Sequence, residues 1–463
     1  MARKSSTPAE RRVHGKALRK QVPRSSHGDW TPADDRPDPV DIVTAQNDAR
    51  LQWLVPIRHW RMSRSPFSFY RGGAAVMAQD LADSPVTGLT AQICGDAHLS
   101  NFGVYGSPER DLVFDVNDFD ETLPGPWEWD VKRLGASFAI AARHNEYDTK
   151  DEFGLPAIAA MAYRQAMERF AGMRYLDIWY SHIAVEDIQA AFKDQLTKKQ
   201  KKRGQKFARK ARSKDSLHAL KKLAEQTDDG YRIAAQPPLI VPVRDFPEEA
   251  HGGQLQAIIE DQFHQYYDSV PDHLHVLLRQ FDYRDMAIKV VGVGSVGTRC
   301  LVVLLKGRDS SDPFFLQVKE AMRSVLENHL PDSAYAQHGE RVVVGQRVMQ
   351  AASDSFLGWT RGTKDHKDYY WRQFKDMKGS VDVEGTPPEE MQRYAGLCGW
   401  TLARAHARSG GSQTIAGYLG SGKAFDRGIA EFSVRYADQN EKDFAAFTEA
   451  IDSGRIEAQS DET

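Results

Sequence analysis

CGDAHLSNFG at residues 94–103 and FDVNDFDE at residues 114–121 bring an Asp, an Asn five positions later and a second group of acidic residues into one short span. Phosphoryl transfer uses this combination, because one carboxylate orients the attacking hydroxyl while an amide oxygen and another carboxylate hold Mg²⁺ against phosphates. The spacing of five also matches the D-x-x-x-x-N of phosphotransferase catalytic loops. The two stretches therefore predict a catalytic set made of Asp96, Asn101 and Asp118.

A β-hairpin is predicted between Asn101 and Asp118. Residues 101–105 have the composition of a strand, GSPE at residues 106–109 has that of a turn, and residues 112–114 have that of a return strand. The two ends of a hairpin lie side by side. We therefore expect Asn101 and Asp118 to share one metal ion.

The second stretch carries four carboxylates within seven positions, which are Asp115, Asp118, Asp120 and Glu121. Alternation along a strand puts Asp118 and Asp120 on the same side. Like charges this close raise one another's pKa unless a cation lies between them. Hard oxygen ligands suit Mg²⁺ or Mn²⁺, so we expect one of these metals, with Asn101, Asp118 and Asp120 as its ligands.

A glycine-rich loop, GVGSVG at residues 292–297, lies between two apolar stretches. G-x-G-x-x-G alone is a weak signal, and its dinucleotide-binding form is followed by a helix. Residues 298–305 are β-branched and aliphatic with no helical period, so they predict a strand instead. Strand, glycine loop and strand are the arrangement that covers nucleotide phosphates in kinases. The expected nucleotide-binding residues of the loop are Gly292, Gly294, Ser295 and Gly297.

Lys319 lies 22 positions after Gly297, at the end of another stretch that predicts a strand. A lysine there would reach the α- and β-phosphates of ATP, and its usual partner is a Glu on the next helix. Glu327, on a helix predicted over residues 321–329, is the candidate partner and completes the nucleotide-binding set. Glu320 is the alternative.

These parts occur in an unusual order, because in kinases the glycine loop and the lysine precede the catalytic loop. Here Asp96 precedes Gly292, and no second D-x-x-x-x-N with a hairpin follows Lys319. LCGWTLARAHA at residues 397–407 resembles the helix that lies just before the catalytic loop in aminoglycoside and choline kinases. We therefore predict an α+β, protein-kinase-like fold of two lobes in circularly permuted order, which domains with neighbouring termini tolerate.

A resemblance to known enzymes carries these roles further. Residues 94–103 and 114–130 resemble the catalytic segments of the aminoglycoside-phosphotransferase-like kinases, which read H-G-D-x-H-x-x-N and then I-D-[FW]-x-D. The resemblance implies that Asp96 is the catalytic base, Asn101 a metal ligand, Asp118 the main Mg²⁺ ligand and Asp130 the residue that braces the loop. Cys94 departs from the pattern, which usually has His at that position.

The chain as a whole is similar to a bacterial family of uncharacterised proteins, the domain of unknown function 2252 family. The similarity spans residues 15–455. Its matching segments are SPFSFYRG, CGDAHLSNFG, FDVNDFDETLPGPWEWDVKRL, VGVGSVGTRC, LQVKEA and QRVMQAASDSFLGW. This resemblance implies a family but no substrate.

The composition of the 463-residue chain is that of a globular protein, with 41% hydrophobic and 27% charged residues and a net charge of −3. This balance does not favour nucleic acid or membrane partners, and the basic segment 198–214 is expected to be a solvated helix face. Three separated Cys residues indicate neither disulfides nor a zinc site. With no apolar stretch of membrane-spanning length and no signal peptide, the expected location is the cytoplasm.

The chain divides into five expected segments. They are an N-terminal arm that is disordered or docks onto the body (1–40), a helical portion that carries the catalytic and metal loops (41–240), a β-rich nucleotide-binding lobe (241–355), a helical completion of the large lobe (356–455) and a disordered tail (456–463). A helix is predicted over residues 127–143 and a further strand over residues 341–350. Residues 65–72 are expected to form a loop with aromatic packing; the alternative is a functional segment whose Arg71 faces phosphate.

The resulting expectation is an ATP- and Mg²⁺-dependent phosphotransferase. The nucleotide would lie between the glycine loop with Lys319 on one side and Asp96, Asn101 and Asp118 on the other. Three alternatives stay open: transfer of AMP on the same fold, a nucleotide-binding scaffold without turnover, and a metal-dependent phosphoesterase that uses the acidic cluster alone. The acceptor, a small molecule or a protein hydroxyl, and the oligomeric state have no readable pattern in the sequence.

Overall fold

The helices and antiparallel sheets of this α+β protein are described by a computed structural model for residues 6–194, 196–228, 230–246, 255–363, 365–374 and 376–461. The helices are α1 (Pro8–Leu18), α2 (Pro39–Ala45), α3 (Val55–Met62), α4 (Pro66–Gly72), α5 (Ala74–Ala82), α6 (Trp127–His144), α7 (Thr149–Ala171), α8 (Tyr175–Tyr180), α9 (Val185–Ala191), α10 (Lys198–Arg212), α11 (Ser216–Leu223), α12 (Leu255–Ser269), α13 (Asp272–Leu278), α14 (His338–Met349), α15 (Pro388–Arg408), α16 (Ser412–Leu419) and α17 (Ala424–Asp452). The strands are β1 (Thr90–Ile93), β2 (Phe102–Gly106), β3 (Leu112–Val116), β4 (Leu123–Pro126), β5 (Ile183–Ala184), β6 (Ala224–Thr227), β7 (Gly230–Ile233), β8 (Ile240–Pro242), β9 (Asp282–Lys289), β10 (Cys300–Lys306), β11 (Pro313–Glu320), β12 (Gly358–Arg361), β13 (Asp368–Gln373) and β14 (Gly379–Ser380).

The largest sheet has six antiparallel strands in the order β12-β13-β11-β10-β9-β8. Successive side chains of a strand point to opposite faces, and both faces of β10 are apolar. Val303 and Leu305 join the cluster that contains α12 and α13, whereas Val302 and Leu304 join the cluster that contains α11. The sheet is therefore covered by helices on both faces, which leaves its ends to carry polar loops.

The strand, glycine loop and strand predicted around residues 292–297 are confirmed. β9 and β10 pair antiparallel, with Leu301 opposite Ile288, and the loop joins them. On its other side β10 pairs with β11, where Cys300 lies opposite Lys319. Lys319 therefore lies at the same end of the sheet as the glycine loop.

The helical body is built around α6, which confirms the helix predicted over residues 127–143. α6 is buried from Trp127 to Ala142, because α7 and α17 pack against it on different sides. Trp127 stacks on Tyr163 of α7 with their ring centroids 5.5 Å apart. A helix enclosed in this way holds its first turn, which carries Asp130, in a fixed position.

The hairpin predicted between Asn101 and Asp118 is also confirmed, as β2 and β3. Phe102 lies opposite Val116 across the pair. Asn117 N donates a hydrogen bond to Asn101 O at 2.8 Å, so the two ends of the hairpin meet. β14 and β5 extend the hairpin into a four-stranded sheet with the order β14-β2-β3-β5.

The prediction of a strand over residues 341–350 is wrong, because residues 338–349 form helix α14. Three consecutive valines favour a strand by propensity. Gln337, however, caps the helix by accepting a hydrogen bond from Glu340 N at 2.5 Å, and Val342, Val343 and Met349 pack into the core of the helical body. Tertiary packing of this kind overrides local propensity.

The segment 356–455, predicted to be helical, begins instead with β12 and β13, which complete the six-stranded sheet. Its helices begin at Pro388. At the other boundary α11, within the predicted helical portion 41–240, packs on the sheet, and β8 belongs to the sheet itself. The β-rich part therefore extends beyond residues 241–355 in both directions.

The N-terminal arm is folded rather than disordered, and it docks onto the helical body. Thr7 and Glu10 form a capping box at the start of α1. Gly15 packs so closely on α16 that a Cβ atom there would lie 1.9 Å from Thr414 O. Arg24 donates a hydrogen bond to Leu419 O at the end of α16, where a cation is favoured by the helix dipole.

The described part of the C-terminal tail is docked as well. Asp461 pairs with Arg61 at 2.5 Å, and Gln459 N donates a hydrogen bond to Pro56 O. Ile456 is buried beside α2 and α17. The tail predicted to be disordered over residues 456–463 therefore packs against α3 as far as the structure describes it.

The basic segment 198–214 forms α10, which buries Ala208 and Ala211 and turns most of its lysines and arginines to solvent. This agrees with the solvated helix face expected from the sequence. Among the described residues, no helix combines the length and the apolar character that crossing a membrane requires.

Candidate active site

The loop that carries Asp96 is held by a carboxylate on α6. Cys94 N and Gly95 N donate hydrogen bonds to the two carboxylate oxygens of Asp130 at 2.8 and 2.9 Å. His406 Nε2, on α15, lies 3.1 Å from Asp130 Oδ2. Asp130 therefore braces the loop, and His406 holds Asp130 from the opposite side.

Gly95 has a backbone conformation that favours glycine. Its φ of +79° lies in the left-handed region. A Cβ atom at this position would also lie 2.7 Å from Glu121 O. The glycine thus lets the loop of Asp96 approach the backbone of the acidic stretch, which brings the two sequence motifs into contact.

Asp96 presents one carboxylate oxygen to the protein and the other to a cavity. Arg133 Nε and Nη2 lie 2.9 and 2.7 Å from Asp96 Oδ1. His98 Nε2 is 3.8 Å from Oδ2, which is beyond hydrogen-bonding distance. Burial, together with the charges of Arg71 and Arg133, lowers the pKa of His98 well below its ordinary value, so this imidazole is neutral.

Asn101 lies directly beside Asp96. Its Nδ2 donates a hydrogen bond to Asp96 O at 2.8 Å. No side chain or backbone donor within the described residues contacts Asn101 Oδ1. The amide therefore offers a free oxygen at the wall of the cavity.

Asp120 makes the contact that joins the two distant motifs. Lys319 Nζ lies 2.5 Å from Asp120 Oδ2, and the Tyr370 hydroxyl donates to Asp120 Oδ1 at 2.7 Å. Burial alone would raise the pKa of Asp120, but the charge and hydrogen bond of Lys319 bring it below its ordinary value. Asp120 is therefore an anion that is already paired by the protein.

The Asp118 side chain differs from that of Asp120 in its contacts and in its pKa. Its only hydrogen bond within the described residues comes from Asp120 N at 3.2 Å. Burial raises the pKa of Asp118 above its ordinary value, and the neighbouring Asp120 adds to this shift. Because Asp118 lines two cavities, its carboxylate is the free acidic group of this region.

The first and last carboxylates of the acidic stretch, Asp115 and Glu121, stabilise the fold. Asp115 is buried and forms an ion pair with Arg404 of α15. Glu121 accepts hydrogen bonds from Ser324 Oγ at 3.0 Å and Val325 N at 2.7 Å. Burial raises the pKa of Glu121 to about 7, and the charge of Arg341 opposes the shift.

The glycine loop is held by arginines from the N-terminal helical segment. Arg50 Nη1 donates hydrogen bonds to Gly294 O at 2.9 Å and Val296 O at 2.6 Å. Arg61 Nη1 donates to Gly292 O at 2.6 Å. Gly292 and Gly297 have φ values of +61° and +88°, so the loop turns at both ends where glycine is favoured.

A cavity of about 500 Å³ separates the glycine loop from the acidic stretch. One end is lined by Gly292, Ser295, Lys319 and Asp118, which brings predicted nucleotide-binding and catalytic residues to one space. The remaining wall is formed by polar and aromatic side chains from several elements: Gln317, Gln346, Gln350, Asp354, Phe356 and Arg372. This volume is within the range of pockets that hold small ligands.

A second cavity of about 190 Å³ lies on the side of Asp96. Gly292, Ser295 and Asp118 line both cavities, so the two meet at these residues. Of the predicted site residues, Asp96, Asn101, Asp120 and Gly294 line the smaller cavity, and Lys319 lines the larger one.

The chain matches, over residues 50–450, the model of a family described as uncharacterized proteins conserved in bacteria, domain of unknown function 2252. The match covers most of the chain and includes both groups of site residues. The chain belongs to this family. No curated protein and no solved structure matches it.

Within this member of the domain of unknown function 2252 family, Glu327 is not the partner of Lys319. It lies in a short 3-10 turn, Val325–Asn328, rather than on the predicted helix over residues 321–329. Its carboxylate accepts a hydrogen bond from Ser324 N at 3.0 Å and faces Arg341 at 3.9 Å. The prediction failed because the Glu327 carboxylate forms the capping box of this turn with Ser324, so it is not available to Lys319.

The alternative partner, Glu320, is also engaged elsewhere. It pairs with Lys367 at 2.8 Å and with Arg299 at 3.2 Å. Adjacent residues of a strand point to opposite faces, so Glu320 and Lys319 face away from each other. Asp120 occupies the position beside Lys319 that the sequence assigned to a glutamate.

Two residues of the site, Arg341 and Tyr370, could not be predicted from the sequence. Arg341, on α14, donates hydrogen bonds to Thr122 O at 2.7 Å and Asp120 O at 2.8 Å, which fixes the backbone of the acidic stretch. Tyr370, on β13, fixes the Asp120 side chain. α14 was predicted to be a strand and β13 a helix, so neither residue could be assigned to this site.

A metal ion would need ligands beyond the acidic side chains here. Within the described residues, no group of three His, Cys, Asp or Glu side chains is arranged to hold a metal ion by itself. The free Oδ1 of Asn101 and the free carboxylate of Asp118 are oxygen donors at one cavity. These two fit Mg²⁺, which is commonly bound by one or two protein ligands and completed by phosphate oxygens and water.

Proposed function

We propose that this protein is an ATP- and Mg²⁺-dependent phosphotransferase with kinase-like parts arranged in circularly permuted order. The observation that carries the proposal is the 2.5 Å contact between Lys319 Nζ and Asp120 Oδ2, which joins β11, at the same end of the sheet as the glycine loop, to the acidic stretch. Nucleotide phosphates and a metal would be bound where these two motifs meet. The acceptor group is a hydroxyl, and whether it belongs to a small molecule or to a protein is left open.

Nucleotide binding is assigned to the larger cavity. The backbone of the glycine loop, including Gly292 and Ser295, would cover the phosphates, and Lys319 would neutralise their charge. Arg50 and Arg61 support this role, because they fix the loop through its carbonyl oxygens. Val296 N donates to Val293 O within the loop, whereas the N–H groups of Gly294 and Ser295 have no acceptor among the described residues and stay available for phosphate oxygens. Positioning and electrostatics of this kind supply most of the catalysis of phosphoryl transfer.

Asn101 Oδ1 and Asp118 are the proposed protein ligands of Mg²⁺. Bound there, the metal would neutralise the charge of the transferred phosphate and bridge it to the protein. Asp120 was also predicted as a ligand. Its two oxygens are occupied by Lys319 and Tyr370, so we assign it to holding Lys319 instead.

Asp96 is the proposed residue that orients the acceptor hydroxyl. Its Oδ2 faces the smaller cavity, next to the point where both cavities meet at Asp118. Arg133 fixes the side chain through Oδ1, and Asp130 fixes the backbone of the loop. A carboxylate fixed on one side and free on the other can accept a hydrogen bond from an incoming hydroxyl.

The permuted order is supported by contacts at the end of α15. Gln92 N, just before the catalytic loop, donates a hydrogen bond to Ser409 Oγ, just after α15, at 3.0 Å. His406 of the same helix contacts Asp130. In kinases without permutation the chain runs from the equivalent helix directly into the catalytic loop, so this proximity is what a permuted chain requires.

A nucleotide-binding scaffold without turnover is the second candidate. The observation in its favour is that Arg133 already pairs with Asp96 and occupies one oxygen of the carboxylate that would contact the acceptor hydroxyl. In that case nucleotide would bind without consumption. Measurement of turnover, rather than binding, distinguishes the two functions.

The binding test is thermal unfolding of the full chain with Mg-ATP. Ligand at 100 times its dissociation constant adds about 2.7 kcal/mol to the stability of the folded state. We expect this shift in the wild type and a smaller one in Asp118→Asn and Lys319→Met. Asp111→Asn in the exposed hairpin turn and Lys306→Met at the far end of β10 are matched controls that should keep it.

The turnover test measures which products ATP yields in the presence of fractionated cell extract as a source of acceptor. Release of ADP supports phosphoryl transfer, and release of pyrophosphate with incorporation of AMP supports nucleotidyl transfer instead. If the protein binds ATP but does not consume it, the protein is a nucleotide-binding scaffold. Absence of any Mg-ATP shift in the wild type would overturn all three assignments.

A further inference from the structure

We propose that the acceptor of this reaction is an anionic small molecule, whose phosphate or carboxylate group is bound by Arg71 in the smaller cavity. This inference rests on the proposed phosphotransferase function and adds the chemical class of its second substrate. It is carried by a partly buried guanidinium that makes no hydrogen bond or ion pair with any described residue, at the wall of a cavity that also contains Asp96.

Arg71 is the unusual group of this cavity. It lies in the last turn of α4, where the sequence predicted a loop, and it is partly buried. Its Nε is buried without a hydrogen-bond acceptor, and no carboxylate within the described residues forms an ion pair with it. Burying a charge without a partner is costly, so an anion that enters the cavity is strongly favoured there.

Besides Arg71, the charged side chains that line this cavity are Arg50, Asp96, Asp118, Asp120, Glu121 and Glu320. Four of the carboxylates are already engaged by groups outside the cavity: Asp96 pairs with Arg133, Asp120 with Lys319 and Glu320 with Lys367, while Glu121 accepts hydrogen bonds from Ser324 and Val325. Asp118 remains free, and it is the proposed metal ligand. Arg71 is therefore the positive charge that an incoming anion can pair with without displacing a carboxylate.

Arg50 contributes to the same wall but is less available. Its Nη1 is committed to Gly294 O and Val296 O, although its Nε is also buried without a partner. Its removal would release the glycine loop. We therefore assign Arg50 to positioning the loop and Arg71 to binding the anion.

The position of Arg71 distinguishes an acceptor from the nucleotide. Arg71 and Asp96 line the smaller cavity, whereas Lys319 lines the larger one, and the two spaces meet at Asp118, Gly292 and Ser295. Nucleotide phosphates on the Lys319 side would leave the Arg71 side to the molecule that delivers its hydroxyl to Asp96. An anion there would fix the acceptor at its far end.

The size of the cavity limits this acceptor. About 190 Å³ is smaller than the pockets that hold drug-sized ligands. It has room for one phosphate or carboxylate group with a few carbon atoms. A small hydroxylated phosphate ester or hydroxy acid fits this space better than a protein side chain on a folded surface.

The test titrates inorganic phosphate into the full-length protein by calorimetry, with and without a saturating Mg²⁺ complex of a non-hydrolysable ATP analogue. We expect phosphate to bind in both conditions. Arg71→Met should weaken this binding about tenfold or more, because a charge-assisted contact is lost. Arg64→Met, at an exposed site seven positions earlier, is the matched control and should leave it unchanged.

Two results would overturn the proposal. One is phosphate binding that Arg71→Met does not weaken, in a variant whose thermal unfolding matches the wild type. The other is displacement of phosphate by the ATP analogue but not by Mg-ADP, which would assign Arg71 to the γ-phosphate of the nucleotide. Arg71→Gln provides a second variant if the Met side chain disturbs folding.

Failure of the phosphotransferase proposal gives a different pattern. If the ATP analogue does not bind to the wild type, the function is overturned. Phosphate binding that depends on Arg71 would then identify an anion site and overturn its assignment to an acceptor.

Discussion

Lys319 Nζ lies 2.5 Å from Asp120 Oδ2, although 199 residues of chain separate the two side chains. The contact joins the end of β11 to the acidic stretch that follows β3. Tyr370 and Arg341 fix Asp120 from two other elements, through its side chain and its backbone oxygen. This ion pair and the hydrogen bonds around it therefore hold the end of β11 against the acidic stretch.

Removal of this lysine should destabilise the protein. We expect Lys319→Met to lower the free energy of unfolding by about 1–3 kcal/mol, because it leaves the Asp120 charge beside an apolar side chain. The expected loss is below that of a fully enclosed pair, since the Asp120 side chain keeps 31% of its exposure. Unfolding in urea measures the change.

The double variant Lys319→Met/Asp120→Asn separates a lost pair from a lost packing contact. It should regain part of the stability, because no unpaired charge is left. Lys306→Met in the neighbouring strand is the control. Equal stabilities of the single and the double variant would contradict the pairing.

Gly95 should not tolerate a side chain. Gly95→Ala forces a residue other than glycine to a φ of +79° and sets a Cβ atom 2.7 Å from Glu121 O. We expect a loss of about 2–4 kcal/mol in the free energy of unfolding. Gly154→Ala, inside α7 with no atom within 4 Å of its added Cβ, should instead gain about 0.5–1 kcal/mol. A loss at position 154 as large as that at position 95 would contradict this account.

Asp130 should contribute to stability through the loop it braces. Asp130→Asn keeps the shape of the side chain but replaces one acceptor of the Cys94 and Gly95 N–H groups by a donor. We expect a loss of about 2–3 kcal/mol in chemical unfolding, since buried donors are left without an acceptor. Asp111→Asn, in the exposed turn of the same hairpin, should change stability by less than about 0.5 kcal/mol. A neutral Asp130→Asn would remove Asp130 from this role.

Lys132 is a buried charge outside the site. Its Nζ has no hydrogen-bond partner within the described residues and lies 4.9 Å from the centre of the Phe432 ring. Burial lowers the pKa of Lys132 to about 7, and the charge of Glu128 opposes the shift. We expect Lys132→Met to raise the free energy of unfolding at pH 7 by about 1–3 kcal/mol.

The pH dependence of this gain has a definite sign. Between pH 7 and the ordinary lysine pKa, the unfolded chain binds a proton that the folded chain does not, so the wild type becomes more stable as pH rises. The advantage of Lys132→Met should therefore shrink from pH 7 to pH 9.5. Urea unfolding of both proteins at the two pH values measures it, and an advantage that grows with pH would contradict the assignment.

Local patterns account for the elements that the sequence predicted correctly. The hairpin of β2 and β3, the strand pair around the glycine loop, and α6 depend on turn residues and on the period of apolar residues over fewer than about 20 positions. The proximity of Asn101 and Asp118 follows from the same short range, because the hairpin alone brings its ends together. The catalytic role of these two residues and of Asp96 stays a prediction. These features needed no knowledge of the rest of the chain.

Long-range packing decided two of the features that the sequence predictions missed, and a local hydrogen-bond pattern decided a third. Val342–Val344 became helical because α14 packs against the helical body, and Glu327 lost its predicted role to a local capping box. Asp120 became the partner of Lys319 because two distant elements dock at the same place.

By itself, the sequence determined the local geometry of the loop that carries Asp96, of the hairpin before the acidic stretch and of the glycine loop, since each is specified by neighbours in the chain. Only the tertiary structure decided which of these groups stay free. Asp118, Asn101 Oδ1 and Arg71 face the cavities without an ion pair to any described residue, whereas Asp120, Asp115 and Glu121 are held by partners from other elements. The physical reason is that pairing of buried charges depends on distances between segments that are remote in sequence.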